Sequence, residues 1–139
     1  MKTKFDQIVK LKKLDVEKIE RELLKQNQKI EKANQELTQF KIEFSKFEYP
    51  KTGNFALITQ FKTMQTAFLR EIKQKEEELV FLENQKTLLQ GQLKDKQLEY
   101  EKIKYLQGEE IKKMVKKLKK EEAKNIDEIA LMLFQRGEK

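Results

Sequence analysis

The residues whose types could do chemistry are two short runs of carboxylates. Glu76–Glu78 and Glu109–Glu110 have the side chains that a metal ion or an acid–base pair would need. Both runs lie in lysine-rich sequence, where glutamates usually form a solvated helix face that pairs with lysines one turn away. The sequence contains no histidine and no cysteine, so the commonest general base and the thiolate ligands are absent. We therefore predict that this protein is not an enzyme, holds no cofactor or metal, and has no small-molecule substrate.

A long apolar stripe predicts the first element that positions these surface charges. The stripe advances alternately by four and three residues, and eleven of its thirteen positions are apolar. A period of 3.5 residues over this length is typical of a helix that packs one narrow face against another helix. The stripe consists of Phe5, Val9, Lys12, Val16, Ile19, Leu23, Gln26, Ile30, Ala33, Leu37, Phe40, Phe44 and Phe47.

A second stripe with the same spacing follows the only strong break in the sequence. The break contains the single proline, Pro50, and the nearby Gly53. The sequence predicts helix 1 over about 3–49, a turn at 50–53 and helix 2 over about 54–135. The second stripe consists of Ile58, Phe61, Gln65, Phe68, Ile72, Lys75, Leu79, Leu82, Lys86, Leu89, Leu93, Lys96, Tyr100 and Ile103.

Together the stripes predict an all-α fold, a single domain over 1–139 that forms a two-helix antiparallel coiled-coil hairpin. If the chain folds back at the Thr52–Gly53 bond, every stripe position of one helix meets a stripe position of the other. Helix 2 is the longer, so it overhangs helix 1 from about residue 103. The predicted register pairs Phe47 with Ile58, Phe44 with Phe61, Leu37 with Phe68, Ala33 with Ile72, Leu23 with Leu82, Lys12 with Leu93 and Gln26 with Leu79.

The overhang is predicted to be an amphipathic helix that needs a covering surface. Seven lysines of the overhang lie within residues 112–124, and the formal net charge of the whole chain is +7. A protein partner, an anionic membrane and a nucleic acid are the three candidates. The residues favour a protein, because the overhang has no tryptophan and the chain has only three arginines for base recognition. Its apolar side chains are Ile111, Met114, Val115, Leu118, Ile126, Ile129, Ala130, Leu133 and Phe134, and its lysines are Lys112, Lys113, Lys116, Lys117, Lys119, Lys120 and Lys124.

Most aromatic residues lie near the turn, and several apolar residues there fall off the stripe. A two-helix hairpin has no second interior in which such side chains could be buried. We therefore expect a docking surface at this end of the hairpin. The off-stripe residues are Ile42, Tyr49, Phe55, Leu57, Met64 and Leu69.

The sequence contains no apolar segment long enough to cross a bilayer, and its N-terminal residues lack the apolar stretch of a signal peptide. These features predict a cytoplasmic protein.

At this level of detail the chain resembles the FliJ family of flagellar type III export proteins. The similarity includes the basic N-terminus, the stripe of the first helix and the aromatic turn. It also includes the segment Thr59-Gln60-Phe61-Lys62-Thr63-Met64, which is similar to the Gln-Phe start of the family's second helix. The ending Asn125-Ile126-Asp127-Glu128-Ile129-Ala130 is close to the family's Asp-Glu-x-Ala tail.

The resemblance implies a cytoplasmic stalk or adaptor, peripheral to the inner-membrane export apparatus and similar to the central stalk subunit of rotary ATPases. It implies binding to the export ATPase with promotion of ring assembly, a link to the export gate, and escort of export chaperones. Contact with the membrane would then be only indirect, through the export gate. The ATPase contacts implied here are Phe5, Ile111, Lys112, Lys113, Met114, Lys116, Lys117, Leu118, Lys120, Ile126, Ile129 and Leu133. The implied gate contacts are Leu37, Phe40, Phe44, Phe61, Phe68 and Ile72, which also lie on the packing stripe.

Other functions stay open at this point. A prefoldin-like holdase is one alternative, although that fold needs strands between its helices. A generic coiled-coil interaction protein or a basic nucleic-acid binder is another. The sequence also leaves self-association of the overhang open, and it does not separate a flagellar from a virulence-type export system.

Overall fold

A computed structural model describes residues 2–51 and 53–137 of the chain. Two helices make up the fold: α1 spans Asp6–Ser45 and α2 spans Phe55–Gly137. The predicted all-α antiparallel hairpin with a longer second helix is confirmed, and the described residues contain no strand. Met1, Thr52, Glu138 and Lys139 lie outside the described residues. Thr52 belongs to the predicted turn 50–53 and to the predicted fold-back bond Thr52–Gly53, so this part of the prediction also lies outside them.

Both helices begin at polar caps that the sequence supplies. Thr3 caps α1: its Oγ1 accepts a hydrogen bond from the amide of Phe5 at 3.2 Å, and its own amide donates to Asp6 Oδ2 at 3.1 Å. This reciprocal arrangement is a capping box, which satisfies amides that have no partner within the helix. Asn54 caps α2, because its Oδ1 accepts from the amide of Leu57 at 3.1 Å.

Contacts divide the chain into two compact units, each built from part of α1 and part of α2. One unit contains Glu17–Lys94. The other contains the chain up to Val16 together with the chain from Asp95 onward. The assignment of all 139 residues to a single domain stays a prediction.

The core of the Glu17–Lys94 unit is a small cluster at the interface of the two helices. Ile30, Ala33 and Leu82 are buried, and Leu79 packs against them. Gln26 is also buried, with 5 % of its surface exposed. Its Nε2 donates to the carbonyl of Leu82 at 2.9 Å. A buried amide is stable here because it is hydrogen-bonded.

Both predicted stripes are confirmed as the faces that turn inward. Every stripe position from Phe5 to Phe47 and from Ile58 to Ile103 is buried or half-buried. The apolar residues between these positions are exposed, as in Leu24, Val80 and Phe81. A 3.5-residue period therefore identified the contact face of each helix in each unit.

The predicted pairing register is wrong by one heptad in the Glu17–Lys94 unit. Phe44 packs against Phe68, with ring centroids 6.2 Å apart, and not against Phe61. Leu82 belongs to the cluster of Ile30, not of Leu23. Ala33 was predicted to meet Ile72, but its cluster packs against Leu79. Gln26 was predicted to meet Leu79, but its amide binds the carbonyl of Leu82.

The longer connection between the helices explains this shift. Helix α1 ends at Ser45 rather than near 49, and the Oγ of Ser45 donates to the carbonyl of Ile42 at 2.6 Å. The chain then runs back along the first turns of α2, where the ring of Phe47 stacks on Phe61 with centroids 4.7 Å apart. Tyr49 meets the same ring at 4.8 Å. Because the stripe repeats every seven residues, a slip of one heptad leaves every stripe residue facing inward.

The second unit extends the pairing further along α2 than predicted. Lys12 forms an ion pair with Glu99 at 3.0 Å instead of packing on Leu93. Gln107 Nε2 donates to Asp6 Oδ1 at 2.9 Å. Hydrogen bonding between the helices therefore reaches Gln107, and residues 108–111 beyond it are half-buried. The start of the overhang at about 103 stays a prediction. Helix α2 is continuous through Gly108.

Candidate functional site

The turn end of the Glu17–Lys94 unit carries an exposed apolar surface. Its members are the off-stripe residues that the sequence marked as having no interior to enter. Their exposed fractions run from 42 % for Ile42 to 84 % for Phe55. We call this the tip surface: Ile42, Tyr49, Phe55, Leu57, Met64 and Leu69.

Four members of the tip surface lie on α2, on two faces, one on each side of the packing stripe. Leu57 and Met64 are seven residues apart and share one flank of the stripe. Phe55 and Leu69 are two heptads apart and share the other flank. A partner that contacts one flank would therefore leave the other free, since the stripe between them faces α1.

The predicted gate contacts are mostly occupied by packing within the hairpin. Leu37 is buried, with 9 % of its surface exposed. Phe44 and Phe68 contact each other, and Phe61 lies between Phe47 and Tyr49. These rings are half-buried and so present edges rather than whole faces. Phe40 and Ile72 are half-buried as well, and Phe40 lines a shallow groove of about 300 Å³ beside Lys75.

Stripe lysines are held by carboxylates from neighbouring positions. Lys75 forms ion pairs with Glu36 of α1 and with Glu78 of α2. The hydrogen bond with Glu36 raises the pKa of Lys75, and that with Lys75 lowers the pKa of Glu36. The sequence placed Lys75 on the stripe but did not identify these carboxylate partners, because their identity depends on the register.

The second unit carries the other candidate surface, at the C-terminal part of α2. Ile126, Ile129 and Leu133 are 64 %, 57 % and 61 % exposed. Phe134 is 66 % exposed and Leu118 is 46 % exposed. Nearer to the paired region, the predicted contacts Ile111 and Met114 are half-buried, as is Val115. We call Ile111–Phe134 the tail surface.

The lysines of the tail surface are all exposed and lie opposite its apolar face. From Ile111 to Lys120 the apolar side chains recur at three- and four-residue spacing, and the lysines fill the positions between. A positive helical face of this kind attracts acidic partners and raises their association rate. The exposed lysines are Lys112, Lys113, Lys116, Lys117, Lys119, Lys120 and Lys124.

The N-terminus of α1 is tied to α2 within this same unit. The Asp6 carboxylate accepts from Thr3 and from Gln107, and these hydrogen bonds lower the pKa of Asp6 to about 2. Phe5 is half-buried beside this cap. The Thr3-x-x-Asp6 spacing is the sequence signal of a capping box, which the stripe analysis passed over.

One exposed apolar groove was missed by sequence reasoning. Leu98, Tyr105 and Leu106 line an open groove of about 450 Å³ on the outer face of α2, together with Glu101 and Lys102. Leu98 is 47 % exposed and Tyr105 is 67 % exposed. Their seven-residue spacing off the stripe was the available signal.

Neither a metal site nor a membrane span is found in the part of the chain that the structure describes. No group of three or more acidic side chains there is arranged to hold a metal ion. The two carboxylate runs lie on exposed or half-buried helix faces, and Glu109 pairs with Lys112 at 3.4 Å. Over residues 2–51 and 53–137, neither helix has a stretch long and apolar enough to span a bilayer.

Comparison with known proteins gives one match over the full chain. The family model described as "Flagellar FliJ protein" matches residues 1–139. The chain belongs to the FliJ family. Members of the FliJ family are non-catalytic components of flagellar protein export, so the flagellar role predicted from the resemblance is confirmed at that level. No curated protein and no solved structure matches the chain.

Proposed function

We propose that this FliJ-family chain is a non-enzymatic adaptor that binds the export ATPase through the tail surface and the export gate through the tip surface. In this role it promotes assembly of the ATPase ring, escorts export chaperones, and lies in the cytoplasm at the periphery of the inner-membrane export apparatus. Family membership supports the export role, while the particular partners are the proposal.

The observation that carries the proposal is the exposed C-terminal part of α2. The last hydrogen bond between α1 and α2 in this unit is at Gln107, yet α2 continues to Gly137. Ile126, Ile129 and Leu133 are each more than half exposed on that continuation. Exposed apolar residues in a row mark a protein interface more often than a solvated surface.

The lysines define the kind of partner surface that the tail would meet. Six of them lie between Lys112 and Lys120 with no acidic residue among them. Such a face complements acidic loops, and the complementarity increases the association rate in a salt-dependent way. Phe5 lies in the same unit and would add an apolar contact near the start of the tail.

At the tip surface the gate contact is expected to use the off-stripe residues and only the edges of the stripe rings. Leu37 is buried, so it acts by supporting the packing and not by direct contact. Phe40 and Ile72 are half-buried and can contribute an edge. The family resemblance implies that the same stripe residues pack within the hairpin and contact the gate. With this assignment their faces pack against the other helix and only their edges contact the gate.

A paired substitution tests the ATPase contact. We expect Ile126→Asp with Leu133→Asp to abolish stimulation of ATPase oligomerisation, measured by mass photometry of the ATPase with and without this protein. Leu88→Asp is the matched control, because Leu88 is 68 % exposed but lies outside the tail surface. Unchanged stimulation by the double variant would contradict the proposed role of the tail.

A second pair separates the tip from the tail. Phe55→Ser with Leu69→Ser is expected to weaken binding to the cytoplasmic domain of the export gate while ATPase stimulation persists. Phe81→Ser, at a residue 59 % exposed outside the tip surface, serves as the control. Equal loss with the control would show that the gate does not recognise the tip surface.

A further inference from the structure

The apolar side chains of the tail surface follow a different repeat from those of the hairpin. Starting at Ile111, they advance by steps of four, three, four, four, three and four residues. This is an eleven-residue repeat, which keeps a stripe nearly straight along a helix, whereas the 3.5-residue repeat winds slowly around it. The apolar members are Ile111, Val115, Leu118, Ile126, Ile129 and Leu133, and Glu122 occupies the central position.

Only the first members of this stripe, Ile111 and Val115, are half-buried, and the members from Leu118 onward are exposed. Asp6, the first residue of α1, already contacts Gln107. Leu118 is 46 % exposed and Ile129 is 57 % exposed. The stripe from Ile111 to Leu133 is about 33 Å long at 1.5 Å per residue, which is long enough for a partner helix of six turns.

The spacing of the stripe reads the same in both directions from Glu122. An antiparallel helix of the same sequence therefore places each apolar member opposite an apolar member. Ile111 meets the partner's Leu133, and Val115 meets the partner's Ile129. Leu118 meets the partner's Ile126. We infer that the occupant of the tail surface is the tail surface of a second copy of this chain, in antiparallel orientation.

The charges of the tail fit this orientation. Residues 112–120 contain six lysines and no acid, while residues 121–128 contain four acids and one lysine. In this antiparallel register, residues 112–120 of each copy lie level with residues 124–132 of the other, whose charged side chains are Lys124, Asp127 and Glu128. Beside the stripe, Lys112 lies near the partner's Ala130, whose small side chain leaves room for the lysine methylenes.

A parallel pair or an anionic membrane fits the same residues less well. A parallel pair would set the six lysines of one copy against those of the other, and like charges at facing positions are destabilising. A membrane would bring Glu122 of the stripe, with Asp127 and Glu128 near it, toward lipid phosphates. Both would place a whole run of charges against like charges, whereas the antiparallel pair does so at Glu122 and at the level of Lys120 and the partner's Lys124.

The facing Glu122 carboxylates at the centre keep the pairing reversible and fix its register. Any slip along the stripe would bring Glu122 against an apolar side chain, where a carboxylate is not solvated. The dimer covers Leu118, Ile126 and Ile129, which the proposed function assigns to the ATPase. Self-pairing and ATPase binding are thus mutually exclusive, and the inference of self-pairing stands on this chain alone, independent of the proposed function.

Sedimentation equilibrium of the full-length protein tests the inference. The wild type is expected to show a monomer–dimer equilibrium in the micromolar range, and Ile129→Asp is expected to raise the dimer dissociation constant by at least about tenfold. Leu88→Asp is the control and should leave it unchanged. A monomeric wild type at all concentrations, or an equal effect of both variants, would overturn the proposal. So would a wild type that remains monomeric but binds phosphatidylglycerol vesicles.

Cysteine crosslinking tests the orientation, because the chain has no cysteine of its own. Glu122→Cys should form a disulfide-linked dimer under mild oxidation, since the two positions face each other. Ile111→Cys alone and Leu133→Cys alone should not crosslink, whereas a mixture of the two should. Crosslinking of Ile111→Cys with itself would show a parallel pair and overturn the antiparallel assignment.

Discussion

Two regions of α2 carry the same kinds of apolar residue but use them differently. Between Ile58 and Ile103, the apolar stripe is covered by α1 and its members are buried or half-buried. Between Ile111 and Leu133, a stripe of comparable composition begins half-buried and becomes exposed. The periodicity of the sequence identifies a helix face that favours packing against another helix. Whether that face is buried depends on whether a second helix of the same chain lies alongside it.

Replacing an apolar side chain by alanine should therefore lower the free energy of unfolding much more in the covered region than in the exposed one. Leu82→Ala removes a member of the buried cluster with Ile30 and Ala33, and it should lower the free energy of unfolding by about 2 kcal/mol or more. Ile129→Ala, at an exposed position, should change it by less than about 0.5 kcal/mol in dilute solution. Urea unfolding followed by circular dichroism measures both. Similar losses would erase the distinction between the regions.

A second test concerns what holds the covered region in register. Gln26 is the buried polar residue of the stripe, and its amide donates to Leu82 and to Gln85 at 3.2 Å. Gln26→Leu should raise the free energy of unfolding by about 1 kcal/mol, because a buried polar residue specifies register at a cost in stability. The same variant should allow the alternative pairing one heptad away.

Disulfide trapping checks that second test. In the wild-type background, Ile30→Cys with Leu82→Cys should crosslink, and Leu23→Cys with Leu82→Cys should not. In the Gln26→Leu background both pairs should crosslink. If the second pair stays unlinked there, the length of the connection rather than Gln26 fixes the register.

The glycines provide a smaller test that includes both regions. A Cβ at Gly108 would have open space around it, so Gly108→Ala should raise the free energy of unfolding by about 0.5–1 kcal/mol through helix propensity. Gly91→Ala, equally open, is the matched control in the other unit. Gly53→Ala should be destabilising, since its Cβ would lie 3.1 Å from Leu57 Cδ1. Thermal unfolding measures all three, and a loss at Gly108 would indicate a need for flexibility there.

The smallest expected effect is the pH dependence of the α1 cap. The pKa of Asp6 is lowered in the folded protein to about 2 from an ordinary value of 3.8, so its carboxylate stabilises the fold above about pH 4. This contribution is lost as the pH falls from 3.8 to about 2. Asp6→Asn should be less stable than wild type at pH 7 and equal to it near pH 2, measured by urea unfolding. A difference that persists at pH 2 would show that the loss does not come from the carboxylate charge.

The sequence by itself determined which face of each helix turns inward. Its 3.5-residue spacing fixes the stripe from Phe5 to Phe47 and its counterpart from Ile58 onward, since a helix with this period presents one narrow apolar face. It also marked the tip residues, such as Phe55 and Leu69, as exposed, because a two-helix hairpin has only one interior. The family resemblance was visible from the first stripe, the aromatic turn and the segments 59–64 and 125–130.

Only the tertiary structure decided how the two faces are matched. A heptad repeat is degenerate to a slip of seven residues, so the stripe fits Phe44 against Phe61 or against Phe68 equally well. The choice depends on contacts outside the repeat: the early end of α1 at Ser45, the stacking of Phe47 on Phe61 and the hydrogen bond of Gln26. These contacts join residues far apart in the chain, and no local periodicity encodes them.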